Sequence, residues 1–404
     1  MRPKRVLIIV QNLPVPLDRR VWMECQALVA QGYGVSVICP KGPGDPGFQQ
    51  LDGVRIHKYR PPPPAGGLKG YLLEFGYCWL RTVALAVCIK VCDGFDAIQA
   101  CNPPDTYWAL ALLFKPFGVP FVYDQHDLNP EVYASRFGRR SGVLYRCLLA
   151  LERATYRTAD HVISTNQSYR EVALTRGGKW PAEVSVVISG PDASTMRPGA
   201  VKAELRRGKR HLCCWLGIMG PQDGVELVLH ATGHLVHDLG RDDIHVALLG
   251  FGDCLEELRR LATALRLDEW VTFTGRAGPE LIIDYLSTAD IGLTPDPSNP
   301  LNEVSTMNKT MEYMAFGLPV VATGLKETRV TAGDAAVYVA SGDPVAFARA
   351  MAELLDDPPR RAAMGRQGRQ RVEQELAWEH QAPTYVSVFE RLIGPLGQAP
   401  TARR

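Results

Sequence analysis

Residues 296–321 read DPSNPLNEVSTMNKTMEYMAFGLPVV, and this stretch decides the reading of the whole chain. Ser305 or Thr306 can cap a helix that carries Lys309 and Glu312. The amides at that helix start, together with Lys309, suit a diphosphate. Glu312, one turn further on, can accept two hydroxyl hydrogen bonds, as a ribose diol demands. Asn302, Glu303 and Asn308 add polar groups around the same turn. The competing reading is a Lys309–Glu312 surface pair at i, i+3. Gly317 and Pro319 end the helix and a buried strand follows at Pro319–Ala322, which argues for an internal helix.

Working outward, the second half alternates apolar runs and helical patterns. Strands are expected at His211–Leu216, His245–Leu249, Trp270–Thr274, Ile291–Thr294, Pro319–Ala322 and Ala336–Val339. Helices are expected at Val225–Asp238, Cys254–Leu265, Pro279–Ser287, Thr310–Phe316 and Pro344–Asp356. Two glycine-bearing loops follow strands and open helices: Trp215–Gly224, with Gly217 and Gly220, and Leu249–Asp253, with Gly250 and Gly252. Such glycines let a backbone approach a ligand.

The first half has the same rhythm. Val6–Val10, a helix over Val21–Gln31 and Val35–Cys39 make a βαβ unit, followed by a polar Pro/Gly-rich stretch over Lys41–Gly53 and Pro61–Pro64. Further strands are expected at Ala97–Ala100, Val119–Tyr123, Val162–Ser164 and Val184–Ile188. The loops after these strands carry the candidate chemistry. Arg19 and Arg20 follow the first strand and can meet phosphate, or form an exposed basic turn beside Asp18. Asp105 can cap a helix or face the site. His126, flanked by Asp124 and Asp127, can hydrogen-bond a sugar hydroxyl or a developing charge. No Gly-x-Gly-x-x-Gly fingerprint follows the first strand, which counts against a dinucleotide cofactor.

At roughly 150 residues per domain, 404 residues predict two domains, and the Pro/Gly-punctuated segment 191–210 is the best linker. The fold class is therefore α/β, two doubly wound domains in series. Net charge is +2, but residues 1–190 hold 22 Lys/Arg against 15 Asp/Glu, and residues 191–404 hold 23 against 28. The basic half is expected to face an anionic membrane surface or a phosphorylated acceptor; no nucleic-acid motif accompanies it. Ten cysteines without a Cys-x-x-Cys pair suggest reduced, mostly buried thiols in the cytoplasm. The N-terminal apolar run is too short for a signal peptide or a membrane span. Residues 71–92 are the most apolar stretch, expected as a core helix or as an interfacial one anchored by Tyr71, Tyr77 and Trp79.

Taken together these segments resemble the GT-B glycosyltransferases, specifically the family-four group of retaining enzymes with nucleotide-sugar donors. The resemblance runs over almost the whole chain. It implies two Rossmann-like domains facing each other across a cleft: an acceptor-side domain over 1–190, a linker over 191–210, a donor-side domain over 211–375, and residues 376–404 as a terminal helix returning to the first domain, with a tail. Glu312-Tyr-Met-Ala-Phe-Gly-Leu-Pro-Val-Val looks like the helix whose Glu binds donor ribose. Gly217–Gly224 looks like the first loop of the donor domain, and Val271–Gly275, followed by Arg276, like the nucleobase-side strand. His126 matches the histidine near the donor sugar.

The implied catalytic set is His126, Lys309 and Glu303. Gly217, Gly220, Gly250, Gly252, Arg276, Ser305, Thr306, Asn308 and Glu312 are implied for the donor, and Arg19, Arg20, Asp105 and Asp127 for the acceptor or phosphate side. Three departures stand out. The family's paired glutamates are eight positions apart, whereas Glu303 precedes Glu312 by nine. Ile218 and Asp223 stand where the family has an Arg and a Lys for the diphosphate. Pro14–Arg20 replaces a glycine-rich loop.

The implied reaction moves a hexosyl group from a nucleoside-diphosphate sugar to the hydroxyl of a glycan or lipid-linked saccharide, with retention. It requires neither a metal nor another cofactor, and it takes place in the cytoplasm or at the inner face of the membrane. The alternatives are a GT-B nucleotide-sugar epimerase and a non-catalytic donor-binding partner in glycan assembly.

Overall fold

The computed structural model describes residues 3–62, 67–138 and 140–394. The chain divides into two compact units: Met1–Tyr133 with Arg139–Ile188 and Gln381–Arg404, and Ala134–Gly138 with Ser189–His380.

The first unit is built on β1 (Arg5–Ile9), β2 (Gly34–Pro40), β3 (Phe48–Leu51), β4 (Val54–Tyr59), β5 (Ala97–Cys101), β6 (Phe121–Gln125), β7 (His161–Ser164) and β8 (Val184–Val186). Their order is β3-β4-β2-β1-β5-β6-β7-β8, all parallel except β3 against β4. The chain winds from β1 toward one edge, then returns to start β5 on the other side of β1. Such a reversal opens a crevice at the carboxyl ends of the two strands. Apolar side chains cover both faces, Leu7, Ile9 and Phe121 on one and Val6, Ile8 and Val122 on the other; each contributes roughly 1.5–3 kcal/mol on burial.

The β3–β4 hairpin corrects the expectation of an irregular polar stretch over Lys41–Gly53. Asp52 and Gly53 both have positive φ, 45° and 84°. That is the two-residue turn whose twist matches a right-twisted hairpin.

The second unit holds β9 (His211–Ile218), β10 (Ile244–Phe251), β11 (Val271–Gly275), β12 (Ile291–Thr294), β13 (Val320–Thr323) and β14 (Ala336–Val339), in the order β11-β10-β9-β12-β13-β14, all parallel. Here the winding reverses between β9 and β12. Trp215, Leu248, Leu293 and Phe347 lie in its core.

Three segments refine the sequence reading. Residues 191–210, expected as a linker, are bonded to the second unit: Gly199 N donates to Ser287 Oγ (2.8 Å), Lys202 N to Thr288 Oγ1 (2.9 Å), and Arg206 pairs with Asp290. The helix Trp378–Ile393 contributes buried Tyr385, Val388 and Phe389, and from Gln381 onward it belongs to the first unit; residues 395–404 of the expected tail lie outside the described residues. The helix Gly67–Cys92 is only half a core helix. Cys78, Thr82, Ala86 and Ile89 form its buried stripe, while Leu73, Leu80 and Val91 are 73%, 64% and 80% exposed.

Candidate active site

In the first unit the strand ends beside the β1–β5 reversal hold a buried charge network. Asp124, near the end of β6, lies 2.6 Å from His126 Nε2 and 2.9 Å from Arg20 Nη2. Burial alone pushes the Asp124 carboxyl up, but Arg20 and His126 outweigh it and hold it well below the usual carboxylate range. Burial likewise pushes the His126 imidazole down, and Asp124 more than reverses this, so its pKa ends up raised.

Arg20 also reaches Glu24 Oε1 (3.1 Å) and donates to the Val187 carbonyl (2.9 Å). Arg20, expected to meet phosphate or to form an exposed basic turn beside Asp18, is instead buried: its helix, Arg19–Ala30, turns it inward onto the Asp124 and Glu24 carboxyl groups. Arg19 remains exposed, and Asp18 caps the helix by accepting from Val21 N.

Asp105 does not cap the helix Trp108–Phe114, whose cap position is Tyr107. Its buried carboxylate instead accepts from Asn102 Nδ2 (3.0 Å), Tyr123 OH (2.7 Å) and Asn129 Nδ2 (2.6 Å). Asn102 then holds the next loop, because its Oδ1 accepts from both His126 N (2.7 Å) and Asp127 N (3.1 Å). Burial raises the carboxyls of Asp105 and Asp127.

Sequence reasoning missed Asn102 and Glu24, and also Gln99, whose amide donates to Glu24 and Asp124, and Tyr385, whose hydroxyl donates to Gln99. The readable signal was a glutamine inside the apolar run AIQAC, since a polar side chain in a doubly covered strand must find partners. Among the described residues, Cys101, Asp124 and His126 bring three potential metal-ligating atoms within 4.8 Å of one another. Two features oppose a cation there: the Arg20 guanidinium already neutralises Asp124, and burial pushes the Cys101 thiol well up.

In the second unit the β9–β12 reversal carries the segment that opened the sequence reading. The helix Asn308–Ala315 is clamped onto the sheet by Tyr313, whose hydroxyl accepts from Leu216 N (2.8 Å) and donates to the Leu293 carbonyl (3.2 Å). Lys309 is buried. Its Nζ lies 2.8 Å from Asp296 Oδ1, 3.7 Å from Asp223 Oδ1 and 5.1 Å from the centre of the Trp215 ring. The alternative of a Lys309–Glu312 surface pair gives way to this cluster. Glu312 is buried on the same helix. Burial raises Asp223 to about 6, with Asp296 adding to the rise and Lys309 opposing it.

Other candidates sit differently from expectation. Met307, not Ser305 or Thr306, occupies the helix cap position; Ser305 Oγ donates to the Leu301 carbonyl. Asn308, the first helical residue, is exposed. Glu303 is already engaged, accepting from Ser298 Oγ (2.5 Å) and Lys326 N (3.0 Å). Asn302 donates to the carbonyls of Gln222 and Pro297 (2.9 Å each), which ties the 217–224 loop to the loop after β12. Arg276 is exposed and lies over the Phe251 ring at 4.1 Å.

The glycines serve chain packing. A Cβ at Gly250 would fall 1.9 Å from the Gly217 carbonyl oxygen, one at Gly252 2.5 Å from that of Met219, and one at Gly224 2.6 Å from that of Pro295. They bring the ends of β9, β10 and β12 together.

Comparison with known proteins agrees with this architecture. Residues 17–190 match the Glycosyl transferase 4-like domain, and residues 210–357 match Glycosyl transferases group 1. The chain is similar to D-inositol 3-phosphate glycosyltransferase 1 of Catenulispora acidiphila, with 27% identity over 70% of this chain and 69% of that one. It is also similar to the GDP-mannose-dependent monoacylated alpha-(1-6)-phosphatidylinositol monomannoside mannosyltransferase of Corynebacterium glutamicum, with 33% identity over 39% and 42%.

Among solved structures it resembles sucrose-phosphate synthase of Thermosynechococcus elongatus (TM-score 0.80, 20% identity, 96% of this chain and 99% of that one). It also resembles Anabaena HepE in complex with UDP and glucose (TM-score 0.72, 15% identity, 96% and 100%). Two doubly wound units, matching family descriptions over most of the chain and these relatives lead to one assignment: the chain belongs to the group 1 glycosyltransferases of GT-B fold and is a hexosyltransferase.

Proposed function

We propose that the enzyme transfers a hexosyl group from a nucleoside-diphosphate sugar to an acceptor hydroxyl with retention of anomeric configuration. The donor binds on the second unit and the acceptor on the first. The observation that carries this reading is Lys309 at the β9–β12 reversal, with Glu312 one turn further along the same helix. Departure of the nucleoside diphosphate develops negative charge, which the Lys309 ammonium and the helix start can stabilise. Glu312 serves the ribose diol.

The leaving phosphate can take the acceptor proton, and Lys309 supplies the positive charge the diphosphate needs. His126, held by Asp124, serves the transferred sugar. Epimerisation and donor binding without transfer are not favoured, since the named relatives are glycosyltransferases.

The acceptor is a phosphorylated or lipid-linked saccharide reached at the inner membrane face. Two features support this. The Gly67–Cys92 helix leaves Leu73, Phe75, Tyr77, Leu80, Val87 and Val91 exposed, more apolar surface than an ordinary solvated helix shows. The first 190 residues also carry net positive charge.

The test incubates the enzyme with a panel of UDP- and GDP-hexoses and with inositol phosphate, sugar phosphate and lipid-linked acceptors, and reads the product anomer by NMR. Acceptor-dependent release of nucleoside diphosphate with a retained anomer is expected. An inverted product, or hydrolysis alone across the panel, overturns the reading. Co-sedimentation with vesicles that contain anionic lipid, lost when Leu73, Leu80 and Val91 become Ser, tests the membrane contact; wild-type binding by that variant contradicts it.

A further inference from the structure

A continuous hydrogen-bond path links the terminal helix to His126 inside the first unit. Tyr385 OH donates to Gln99 Oε1 at 2.7 Å, across 286 positions of chain. Gln99 Nε2 donates to Glu24 Oε2 (2.7 Å) and to Asp124 Oδ2 (3.1 Å), and the same Asp124 oxygen lies 2.6 Å from His126 Nε2. Arg20 closes the ring through Glu24 and Asp124. Asp124, Glu24, Gln99 and Tyr385 are fully buried, whereas the His126 side chain is 17% exposed.

So many buried polar groups are costly unless all are paired, and fully paired they hold one geometry. The directions are set. A tyrosine hydroxyl facing an amide oxygen donates, so the Gln99 amide nitrogen must face the carboxylates. An ionised Asp124 can only accept, so His126 presents Nε2–H to it and keeps Nδ1 for a ligand.

We propose that Tyr385, acting through Gln99 and Asp124, is a positioning residue for His126: the terminal helix fixes the tautomer and ring plane of the histidine that serves the transferred sugar. This rests on the role given to His126 above. The network also explains why a tyrosine of the last described helix is buried beside β5 rather than replaced by a phenylalanine. Its hydroxyl supplies a partner for Gln99 Oε1 that leaves the amide hydrogens for the Glu24 and Asp124 carboxyl groups.

The test uses the full-length enzyme. Carboxylates that orient a metal-bound histidine typically affect activity about 10- to 100-fold, and one orienting a sugar-binding histidine should act on the same scale. Asp124→Asn is expected in that range, and Tyr385→Phe at about 3- to 10-fold on kcat, with donor KM little changed. Arg391→Ala, on the same helix outside the network, serves as control and should keep wild-type kcat. In parallel, nitrogen-15 chemical shifts of the His126 ring, assigned with His126→Gln and followed to a pH at which the ring is neutral, should report the Nε2–H tautomer in the wild type and a mixture in Tyr385→Phe.

Wild-type kcat and an unchanged tautomer in a folded Tyr385→Phe would falsify the proposal, whether or not Asp124→Asn folds. If His126→Gln itself retains full activity, the role of His126 fails, and the tautomer measurement still decides whether the network orients the ring.

Discussion

Lys309 and Asp296, thirteen residues apart in sequence, form a buried ion pair of 2.8 Å at the β9–β12 reversal of the second unit. Removing one member of such a pair strands the other in low dielectric, at a cost of about 3–5 kcal/mol. Asp296→Ala should therefore lower the thermal midpoint by several degrees, while Asp223→Ala, whose contact with Lys309 is 3.7 Å, should lower it much less. Differential scanning calorimetry checks this. Equal midpoints for the two variants would show that the 2.8 Å pair has no special weight.

Asp223 introduces a pH dependence. Burial raises its pKa to about 6. Above pH 6 it is a carboxylate that competes with a diphosphate for Lys309; below pH 6 it is neutral. Nucleotide-sugar binding should tighten as pH falls from 7.5 to 5.5, by about 1 kcal/mol or roughly fivefold, the scale of one unit charge at several ångströms in a solvated site. A nucleotide sugar is the right probe, because its esterified phosphates do not titrate in that window. Asp223→Asn should bind tightly and flatten the profile. An unchanged profile in that variant, measured by calorimetric titration, rules Asp223 out as the competing group.

The strand runs were legible because parallel strands covered on both faces must be apolar from end to end, as Leu212–Leu216 and Ile291–Leu293 are. The β3–β4 hairpin escaped because its Asp52-Gly53 turn, a strong hairpin signal, follows a strand of only four residues, β3, that is half exposed and preceded by prolines and glycines. At the site, Lys309 and Glu312 could be read from local spacing. The partners of Lys309 could not, since Asp223 and Asp296 arrive from different loops and only the strand order brings them together. Arg20 misled for the same reason: a basic pair at a helix start looks exposed until Asp124, 104 residues away, is placed beneath it.

The glycine loops can be tested by size alone. Gly250 pairs in register with Gly217, and a Cβ at Gly250 would meet the carbonyl oxygen of Gly217 at 1.9 Å. Neither strand can retreat without breaking the ladder. Gly250→Ala should destabilise by about 1–3 kcal/mol or more and loosen the 217–224 loop. Gly278→Ala, with no neighbour within 4 Å, should cost less, since it loses only the preference of the cap of the helix Pro279–Thr288 for glycine. Thermal unfolding of the pair checks this, and a Gly250→Ala variant as stable as wild type would contradict the packing role.

Two buried histidines should contribute to acid sensitivity. Burial lowers the pKa of both His161 and His245 to about 4; their hydrogen-bond partners are Ser185 and Thr272. Each is neutral when folded and takes a proton near 6.5 when unfolded. The unfolded state therefore binds more protons between pH 6.5 and 4, and stability falls as pH drops through that window. His161→Gln and His245→Gln should each flatten the decline in thermal midpoint from pH 7 to pH 4.5. Parallel curves for variant and wild type would assign the acid sensitivity to other groups.

The most direct test of the donor-site assignment is calorimetric titration of the nucleotide sugar that supports turnover into wild type, Lys309→Gln and Glu312→Ala, with circular dichroism to confirm folding. The account predicts at least a tenfold loss of affinity in each folded variant, which corresponds to about 1.4 kcal/mol. Wild-type Kd in both would contradict it and move the donor away from the Asn308–Ala315 helix.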